Sequence, residues 1–274
     1  MNAWSEYLEI CGRLDRSRVL CGDVTEMLYE LEPESVDVVI ADPPYFISRK
    51  GGTTCRGGKS VSVVKGAWDM PRSRAAQVAF SVVWLAAVRR LMRATATLWV
   101  CGVSPSIRAV SAAADAIGMP EINEVTWTKP NPPPNLACRN LTHSTERLLW
   151  LKREPRAPYF FAYEEARAAN NDRQMRDVWE GGPPVGDERH RGGKHSAQKP
   201  EWLVRRCLEI SCPTPDYIAK LGSRHPPVVL DLFAGSGTTS AVAQSMGLHS
   251  IAIEGDPNYC ALIRSRLGLP PEAP

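Results

Sequence analysis

The sequence contains few of the patterns that assign a protein to a class at once. Its eight cysteines form no C-x-x-C pair, which argues against a zinc site or a disulfide framework and for reduced thiols in the core. The longest apolar run, around residues 78–88, is too short to cross a bilayer. No secretory pattern opens the chain. We therefore expect a cytoplasmic protein with no metal ion and no membrane span.

A strong charge of one sign is also missing. The formal net charge is only +3, which is too mild to establish a nucleic-acid partner by itself. Only eight of the 33 basic residues are lysine. The planar fork of arginine suits phosphates and guanine edges, but codon bias in a GC-rich genome would produce the same preference. The composition leaves both explanations open.

Residues 49–66 form a basic segment with five basic residues, five glycines and no acid. This composition fits a flexible loop that closes over a polyanion, and it fits a solvated surface loop equally well. The segment contains GGKS at 57–60, but a phosphate-binding loop would need glycine where Thr53 stands. We therefore exclude an ATPase of that type.

Runs rich in branched apolar residues alternate with runs of helical periodicity along most of the chain. Strands are expected at residues 17–23, 35–42, 95–102, 122–129 and 146–153 and near 228 and 249, and helices at 74–93, 106–118 and 199–211. This alternation predicts an α/β domain with a mostly parallel sheet.

The stretch VVLDLFAGSGTTSAVA, residues 228–243, predicts a strand, a glycine turn and a helix. Gly235 and Gly237 permit a sharp turn close to a ligand, and the helix that follows presents free N–H groups to an anionic group. Asp231 can accept from a ligand amine. Glu254, 19 residues beyond Gly235, stands where a nucleotide-binding fold places the carboxylate for ribose hydroxyls. Because serine replaces the third glycine of the dinucleotide fingerprint, the pattern favours a nucleoside with a charged tail.

Two motifs, DPPY at 42–45 and DLFAGSGTT at 231–239, resemble those of the S-adenosylmethionine-dependent amino-methyltransferases of DNA. The catalytic motif precedes the cofactor motif, as in the permuted beta group of that family. VLCGDVTEMLYELEPESVDVVIADPPY, VTWTKPNPPPN with HSTERLLWLKR, and HSAQKPEWLVRRCLEIS are further similar stretches. Residues 212–227 depart from the family pattern, because there the family usually runs directly into the glycine-rich strand.

The resemblance implies a Rossmann-like, seven-stranded, mostly parallel sheet in circularly permuted order, with an inserted target-recognition segment. It implies one methyltransferase domain over residues 1–274, with a catalytic half at 17–153, a recognition segment at 154–197 and a cofactor half at 198–267. The implied cofactor is S-adenosyl-L-methionine. The residues assigned to it are Asp23, Asp231, Phe233, Ala234, Gly235, Gly237, Thr238, Thr239, Glu254 and Lys199.

The motif Asp42–Tyr45 also meets a chemical requirement. Pro43 and Pro44 fix two φ angles, so the Asp42 carboxylate and the Pro43 carbonyl can point at one spot. The exocyclic amine of a base is a poor nucleophile because its lone pair is delocalised, and two acceptors on its hydrogens would localise that lone pair. The base must leave the duplex to reach such a corner, and Tyr45 offers a ring for stacking. A tight Pro-Pro turn would explain neither Asp42 nor Tyr45.

Tryptophan offers a further criterion for DNA contact. Trp99, Trp127 and Trp150 lie in predicted strands and are expected in the core. Trp68 and Trp179 lie in irregular segments and are the candidates for contact with DNA.

We expect N6-adenine methylation of double-stranded DNA. In the related N4-cytosine enzymes the motif usually begins with serine, so Asp42 favours adenine. N4-cytosine methylation and a non-catalytic DNA- or nucleoside-binding relative are the alternatives. Because the recognition segment is short for a specific DNA interface, we also expect a homodimer. The recognition sequence and any partner restriction nuclease do not follow from the sequence.

Overall fold

The computed structural model describes residues 17–48, 53–56, 59–62, 67–135, 138–191, 193, 195 and 197–271. Within the basic segment 49–66 only backbone is described, and it forms a small antiparallel hairpin of β3 (Thr53–Arg56) and β4 (Lys59–Ser62). The rest of that segment, and with it the expectation that it closes over a polyanion, lies outside the described residues.

The described part of the chain is built around one eight-stranded sheet. Its strands are β1 Ser17–Cys21, β2 Val36–Ala41, β5 Met92–Gly102, β6 Glu121–Thr128, β7 Thr145–Lys152, β8 Val178–Glu180, β9 Val228–Asp231 and β10 His249–Glu254. They are arranged in the order β1-β10-β9-β2-β5-β7-β6-β8. β7 runs antiparallel to both of its neighbours, and the remaining neighbours pair in parallel. The expected α/β fold with a mostly parallel sheet is confirmed.

Local sequence explains where the principal helices begin and end. The helices are α1 Val24–Met27, α2 Arg74–Leu91, α3 Ser104–Ala116, α4 Tyr163–Ala168, α5 Gly186–Arg191, α6 Glu201–Ser211, α7 Pro215–Lys220, α8 Thr238–Ser245 and α9 Pro257–Leu267. The Ser73 hydroxyl accepts from the Ala76 amide and caps α2, and Gly118, two residues beyond the end of α3, has a left-handed φ of 72° that stops the helix from continuing. The 74–93 and 106–118 predictions are therefore correct to within two residues.

The two faces of the sheet are buried against different helices. Along β2, Val39 and Ala41 face the core that α2 and α3 cover, while Val38 and Ile40 face the core under α6 and α8. A strand buried on both faces reads as a continuous apolar run, which is the pattern of this strand. The alanine- and valine-rich faces of α2 and α3 thus serve mainly to cover the sheet.

The sheet has one strand more than expected, and the extra strand comes from residues 154–197, the predicted recognition segment. β8 pairs with β6 and forms the edge of the sheet, and Trp179 at the centre of β8 is 4% exposed, packed near Trp99 and under Arg206. The assignment of Trp179 to DNA contact was therefore wrong, because an edge strand buries this ring in the core. Trp99, Trp127 and Trp150 are buried as expected.

The 212–227 insertion is an ordered part of the fold. It contains α7, which the Thr214 hydroxyl caps, and it ends where the Val228 amide donates to Asp37 Oδ2 at 2.9 Å. Burial raises the pKa of the Asp37 carboxyl, and the Arg93 guanidinium beside it acts against that rise. The insertion thus contacts the sheet where the parallel strands begin, at the end opposite to Asp42 and Asp231.

The two halves of the expected domain are interleaved in space. β9 and β10, from residues 198–267, lie between β1 and β2, which come from residues 17–153. A single methyltransferase domain therefore remains our prediction, and this interleaving supports it. In the described ranges, no helix has the length and apolar character needed to cross a membrane.

Candidate active site

One edge of the sheet collects the polar residues that sequence reasoning selected. Asp42 follows β2, Asp231 ends β9 and Glu254 ends β10, and all three strands run in the same direction. In the ladder Asp231 pairs with Ile40, two residues before Asp42. Ligands of open α/β sheets bind outside this carboxyl edge, so the fold brings residues of both motifs to the edge where a ligand would bind.

The Asp42 carboxylate is held on both of its oxygens. The Tyr45 hydroxyl donates to Oδ1 at 2.8 Å, and the Lys199 ammonium donates to Oδ2 at 2.6 Å. The Lys199 ammonium also lies 5.2 Å from the centre of the Tyr45 ring. These three residues, Asp42, Tyr45 and Lys199, form a corner of the site. Tyr45 is 6% exposed, so it presents its hydroxyl to the corner and has no open ring face. Each Asp42 oxygen retains a lone pair for a further donor.

Glu146, a residue that sequence reasoning did not select, completes this corner. Its Oε2 lies 3.1 Å from the Tyr45 hydroxyl and 3.5 Å from the Lys199 ammonium, and its Oε1 accepts from Lys129. Burial would raise the pKa of Glu146, but the ammonium groups of Lys199 and Lys129 lower it to about 2. The pKa of Lys199 is raised: burial opposes this, but the carboxylates of Asp42 and Glu146 outweigh it. Glu146 and Lys199 therefore stay ionised near neutral pH.

The reversed direction of β7 explains why Glu146 belongs to the site. Glu146 is the second residue of β7, whereas Lys129 directly follows β6. Because β7 is antiparallel to its neighbours, its first residues lie at the edge where those neighbours end. The sequence did contain a signal for Glu146. It is an acidic residue at the start of a strand that runs antiparallel to its neighbours, at the edge of the sheet that carries the DPPY motif.

A buried carboxylate fixes the chain just after the motif. Asp69 is fully buried, and its carboxylate accepts from the amides of Phe46 and Ser48 at 2.7 and 3.2 Å and from the Ser48 hydroxyl at 2.6 Å. Phe46 has a φ of 56°, which a bulky residue adopts only where the surroundings impose it. Asp69 thus sets the path by which the chain leaves Tyr45.

The glycine turn after β9 has the geometry that its sequence predicted. Gly235 and Gly237 have φ values of 52° and 74°, and a Cβ on Gly235 would lie 3.0 Å from His195. The Gly235 amide donates to Glu254 Oε2 at 2.6 Å, while Glu254 Oε1 accepts from the Asp256 amide at 2.9 Å. Glu254 is thereby oriented beside the turn, with lone pairs left on both oxygens.

Asp231 is buried directly beneath this turn. Its carboxylate accepts from the Phe233 amide at 3.2 Å and interacts with the Thr239 side chain. Burial raises the pKa of Asp231 to about 7, since these hydrogen bonds only partly offset the loss of hydration. The group therefore changes charge near neutral pH.

A cavity of about 700 Å³ links the turn to the corner, and a narrow cleft of about 40 Å³ adjoins it. Glu254 and Asp23 line the large cavity, while Lys199 and Asp231 line the cleft. The residues that line both are Asp42, His195, Ala197, Phe233 and Gly235. Asp42 thus faces the same continuous space as the glycine turn.

The other predicted cofactor residues are distributed over the two spaces. Ala234, Thr238 and Thr239 line the cleft, and Gly237 precedes α8 without lining either space. Asp23 is exposed and accepts from the Thr25 amide at 2.8 Å. The resemblance assigns Lys199 to the cofactor, but its ammonium contacts the carboxylates of Asp42 and Glu146. In the described part of the chain, no group of histidine, cysteine and acidic residues has the arrangement of a metal site.

These residues fit S-adenosylmethionine. The cavity volume lies within the range of about 300–1,000 Å³ that is usual for small-molecule sites. Glu254 has acceptor capacity for ribose hydroxyls, and Asp231 at its shifted pKa can become ionised beside a ligand ammonium. The turn would hold the nucleoside, and bound cofactor would supply an electrophilic methyl group on a sulfonium.

Comparison with known proteins identifies the family. Residues 36–265 match the N6/N4 methyltransferase family, described as DNA methylase. The chain belongs to this family. It is therefore an S-adenosylmethionine-dependent DNA methyltransferase, and the interpretation of the DPPY and DLFAGSGTT motifs is confirmed at that level.

Individual members of the family are similar over most of the chain. The type II methyltransferase M2.DpnII of Streptococcus pneumoniae is 38% identical over 246 residues, which cover 89% of this chain and 87% of that protein. The type II methyltransferase M2.MboI of Moraxella bovis is 32% identical over 245 residues, covering 89% and 85%.

Solved structures share the fold of this DNA methylase. The M1.HpyAVI–SAM complex superposes with a TM-score of 0.66 at 21% identity, over 92% of this chain and 100% of that one. The PvuII DNA methyltransferase, described as cytosine-N4-specific, gives 0.69 at 16% identity, over 96% and 92%. At these identities the likeness establishes the fold alone.

The shifted Asp231 pKa predicts a pH-dependent stability. A folded-state pKa of about 7, above the ordinary value of 3.8, means that the native state holds the extra proton between these pH values. The contribution of Asp231 to the free energy of unfolding is present below pH 4 and is lost as the pH rises to 7. Asp231→Asn should therefore stabilise the DNA methylase at pH 8 by on the order of 2–4 kcal/mol, and less at pH 5.

Denaturant unfolding at pH 5 and pH 8 measures this difference. Asp216→Asn, at an exposed position on α7, is the matched control and should change neither value. An Asp231→Asn variant whose stability relative to the parent is the same at both pH values would contradict the assignment.

Proposed function

We propose that this DNA methylase transfers the methyl group of S-adenosylmethionine to the N6 amine of an adenine flipped out of double-stranded DNA. The observation that carries the proposal is the position of Asp42. Its carboxylate lines the cavity that also contains the glycine turn and Glu254, so a methyl donor and a base amine can meet at one place.

The corner residues act on the amine. Asp42 accepts one amine hydrogen on a lone pair that Tyr45 and Lys199 leave available, and the Pro43 carbonyl accepts the other. The two acceptors localise the nitrogen lone pair towards the methyl group. As the new N–C bond forms, the bond between the methyl group and the donor sulfur would break and leave neutral S-adenosylhomocysteine; the nitrogen becomes acidic, and its extra proton passes to Asp42 or to water. Pro44 fixes its own φ angle and, half-buried, lines the large cavity.

The cofactor residues hold the donor. We assign Glu254 to the ribose hydroxyls and Asp231 to the methionine amine, with Phe233, Ala234, Gly235 and Gly237 forming the turn. Thr238 and Thr239 would present the first turn of α8 to the methionine carboxylate. Asp23, at the rim of the large cavity, is assigned to the adenine end.

Adenine is preferred over cytosine because of the first residue of the motif. An aspartate at position 42 is the form that the resemblance associates with N6-adenine enzymes, whereas N4-cytosine enzymes usually have serine there. N4-cytosine methylation therefore remains the second candidate.

DNA contacts are proposed from exposure at the cavity mouth. Trp68 is 45% exposed and lines the large cavity, which supports its role in holding the displaced base or the duplex. Residues 154–197 are proposed as the target-recognition segment. The type II relatives favour a role in restriction–modification. We propose the cytoplasm as its location, because the proposed substrate is DNA.

Nucleoside analysis tests the proposed reaction. Unmethylated plasmid DNA treated with the protein and S-adenosylmethionine should yield N6-methyldeoxyadenosine by mass spectrometry. Asp42→Ala should remove this product while leaving the calorimetric affinity for the neutral product S-adenosylhomocysteine within about threefold, because Asp42 acts on the base amine. N4-methyldeoxycytidine, or no methylated nucleoside from the parent protein, would contradict the proposal.

A homodimer is proposed from the size of the DNA interface. Specific interfaces bury about 1,000–2,500 Å² of protein surface, which a single 154–197 segment supplies poorly. The faces of α2 and α3 are largely used by the sheet, although Val83 on α2 is 54% exposed. Light scattering at assay concentrations should give the mass of two chains without DNA, or the mass of two chains plus the duplex when DNA is present. A monomer both with and without DNA would refute the dimer.

A further inference from the structure

Four charged side chains alternate in sign across the catalytic corner. Lys129 contacts Glu146, Glu146 contacts Lys199, and Lys199 contacts Asp42. The Tyr45 hydroxyl joins the two carboxylates from the side. Of these contacts, the proposed reaction uses only those made by Asp42, so the roles of Glu146 and Lys129 are unassigned.

The formal charges of this row cancel. Two lysines oppose two carboxylates in a place that water reaches poorly, since the four side chains are only 11–22% exposed. Charges in such surroundings are weakly screened, and losing any one of them leaves a net charge that acts over several ångströms. Neutralising Glu146 would leave the corner with one excess positive charge.

A positive corner would oppose the methyl donor. The sulfonium of S-adenosylmethionine carries a positive charge, and its methyl group must come within about 3–3.5 Å of the amine that Asp42 holds. S-adenosylhomocysteine, the product of the transfer, has a neutral thioether at the same atom. The charge of the corner therefore acts on the substrate cofactor and not on its product.

We propose that Glu146 is a positioning residue that offsets the second lysine, keeps Lys199 and Tyr45 against Asp42, and so holds the corner neutral for a cationic methyl donor. This inference rests on the proposed function. Lys129 has the opposite electrostatic effect, and the balance between Glu146 and Lys129 sets how well the enzyme prefers S-adenosylmethionine to S-adenosylhomocysteine.

Two other roles for the row are disfavoured by its own electrostatics. Lys199 is a poor general base because the neighbouring carboxylates raise its pKa, although burial opposes this. Glu146 is a poor proton acceptor at the end of a relay through Tyr45, because two ammonium groups lower its pKa to about 2 despite its burial. Holding and balancing charge is the role left for Glu146.

The ratio of two dissociation constants tests the proposal without turnover. Calorimetry at one fixed pH, without DNA, gives Kd for S-adenosylmethionine and for S-adenosylhomocysteine, and a fixed pH keeps the contribution of Asp231 the same in both titrations. Glu146→Gln should raise the ratio of the first Kd to the second by about tenfold. Lys129→Gln should lower it by a similar factor, and the double variant should return to within about threefold of the parent.

The opposite signs separate charge from structure. A purely structural role would move both affinities together, so an unchanged ratio in both single variants, or a shift of the same sign in both, would overturn the proposal. If Glu146→Gln does not fold, Lys129→Gln and Lys129→Glu carry the test, because Lys129 is the most exposed member of the row at 22%. The second should lower the ratio further than the first.

The methylation activity of the parent protein shows whether a negative result refutes the proposed function or only the role of Glu146. A parent that makes no methylated nucleoside defeats the proposed function, whereas a methylating parent with an unchanged ratio in the variants defeats only the role of Glu146.

Discussion

The ammonium of Lys199 donates a hydrogen bond to Asp42 Oδ2 at 2.6 Å, although the two residues are 157 positions apart in the sequence. A carboxylate that is only 18% exposed would lose much of its hydration without compensation, and removing one partner of such a pair is costly. With Lys199 on one oxygen and Tyr45 on the other, the Asp42 carboxylate is compensated and fixed in direction. The rest of the site is arranged around this contact. Glu146 lies beside Lys199, the large cavity opens onto Asp42, and Asp69 fixes the backbone that follows Tyr45.

The direction of the strands brings these parts together. Parallel strands that end at one edge carry Asp42, Asp231 and Glu254 to the same rim, and the glycine turn starts there because β9 ends there. The reversed β7 adds Glu146 from its beginning. Asp69 then fixes the backbone just past Tyr45. The cavity is thus formed by strand ends and short turns, which rigid packing on both faces of the sheet holds in place.

Contiguous motifs made much of this predictable. Gly235 and Gly237 adopt the positive φ values that the turn requires, and the alternation of strands and helices predicted the α/β sheet. Pairs distant in sequence were less accessible. Glu146 meets Tyr45 across 101 residues, and no local pattern specifies which strand lies beside β5. Trp179 was misassigned for the same reason, since its short strand has no clear periodicity and is buried only by pairing with β6.

The same limit applies to Lys199. The family resemblance placed Lys199 near the cofactor. The acid that its ammonium contacts depends on how α6, which begins two residues later, is positioned relative to β2. Local sequence reports backbone conformation, whereas partners of buried charges are decided by packing and by the need to compensate lost hydration.

A structure of the enzyme with S-adenosylhomocysteine and a duplex carrying its recognition site would show where the target base binds. We expect an adenine outside the helix, with its N6 within hydrogen-bonding distance, about 2.7–3.2 Å, of the Asp42 carboxylate and the Pro43 carbonyl. Lys199 and Tyr45 should still contact Asp42. A displaced base whose amine lies away from Asp42, or an Asp42 that has left Lys199 to bind it, would refute the role of Asp42 proposed for this enzyme.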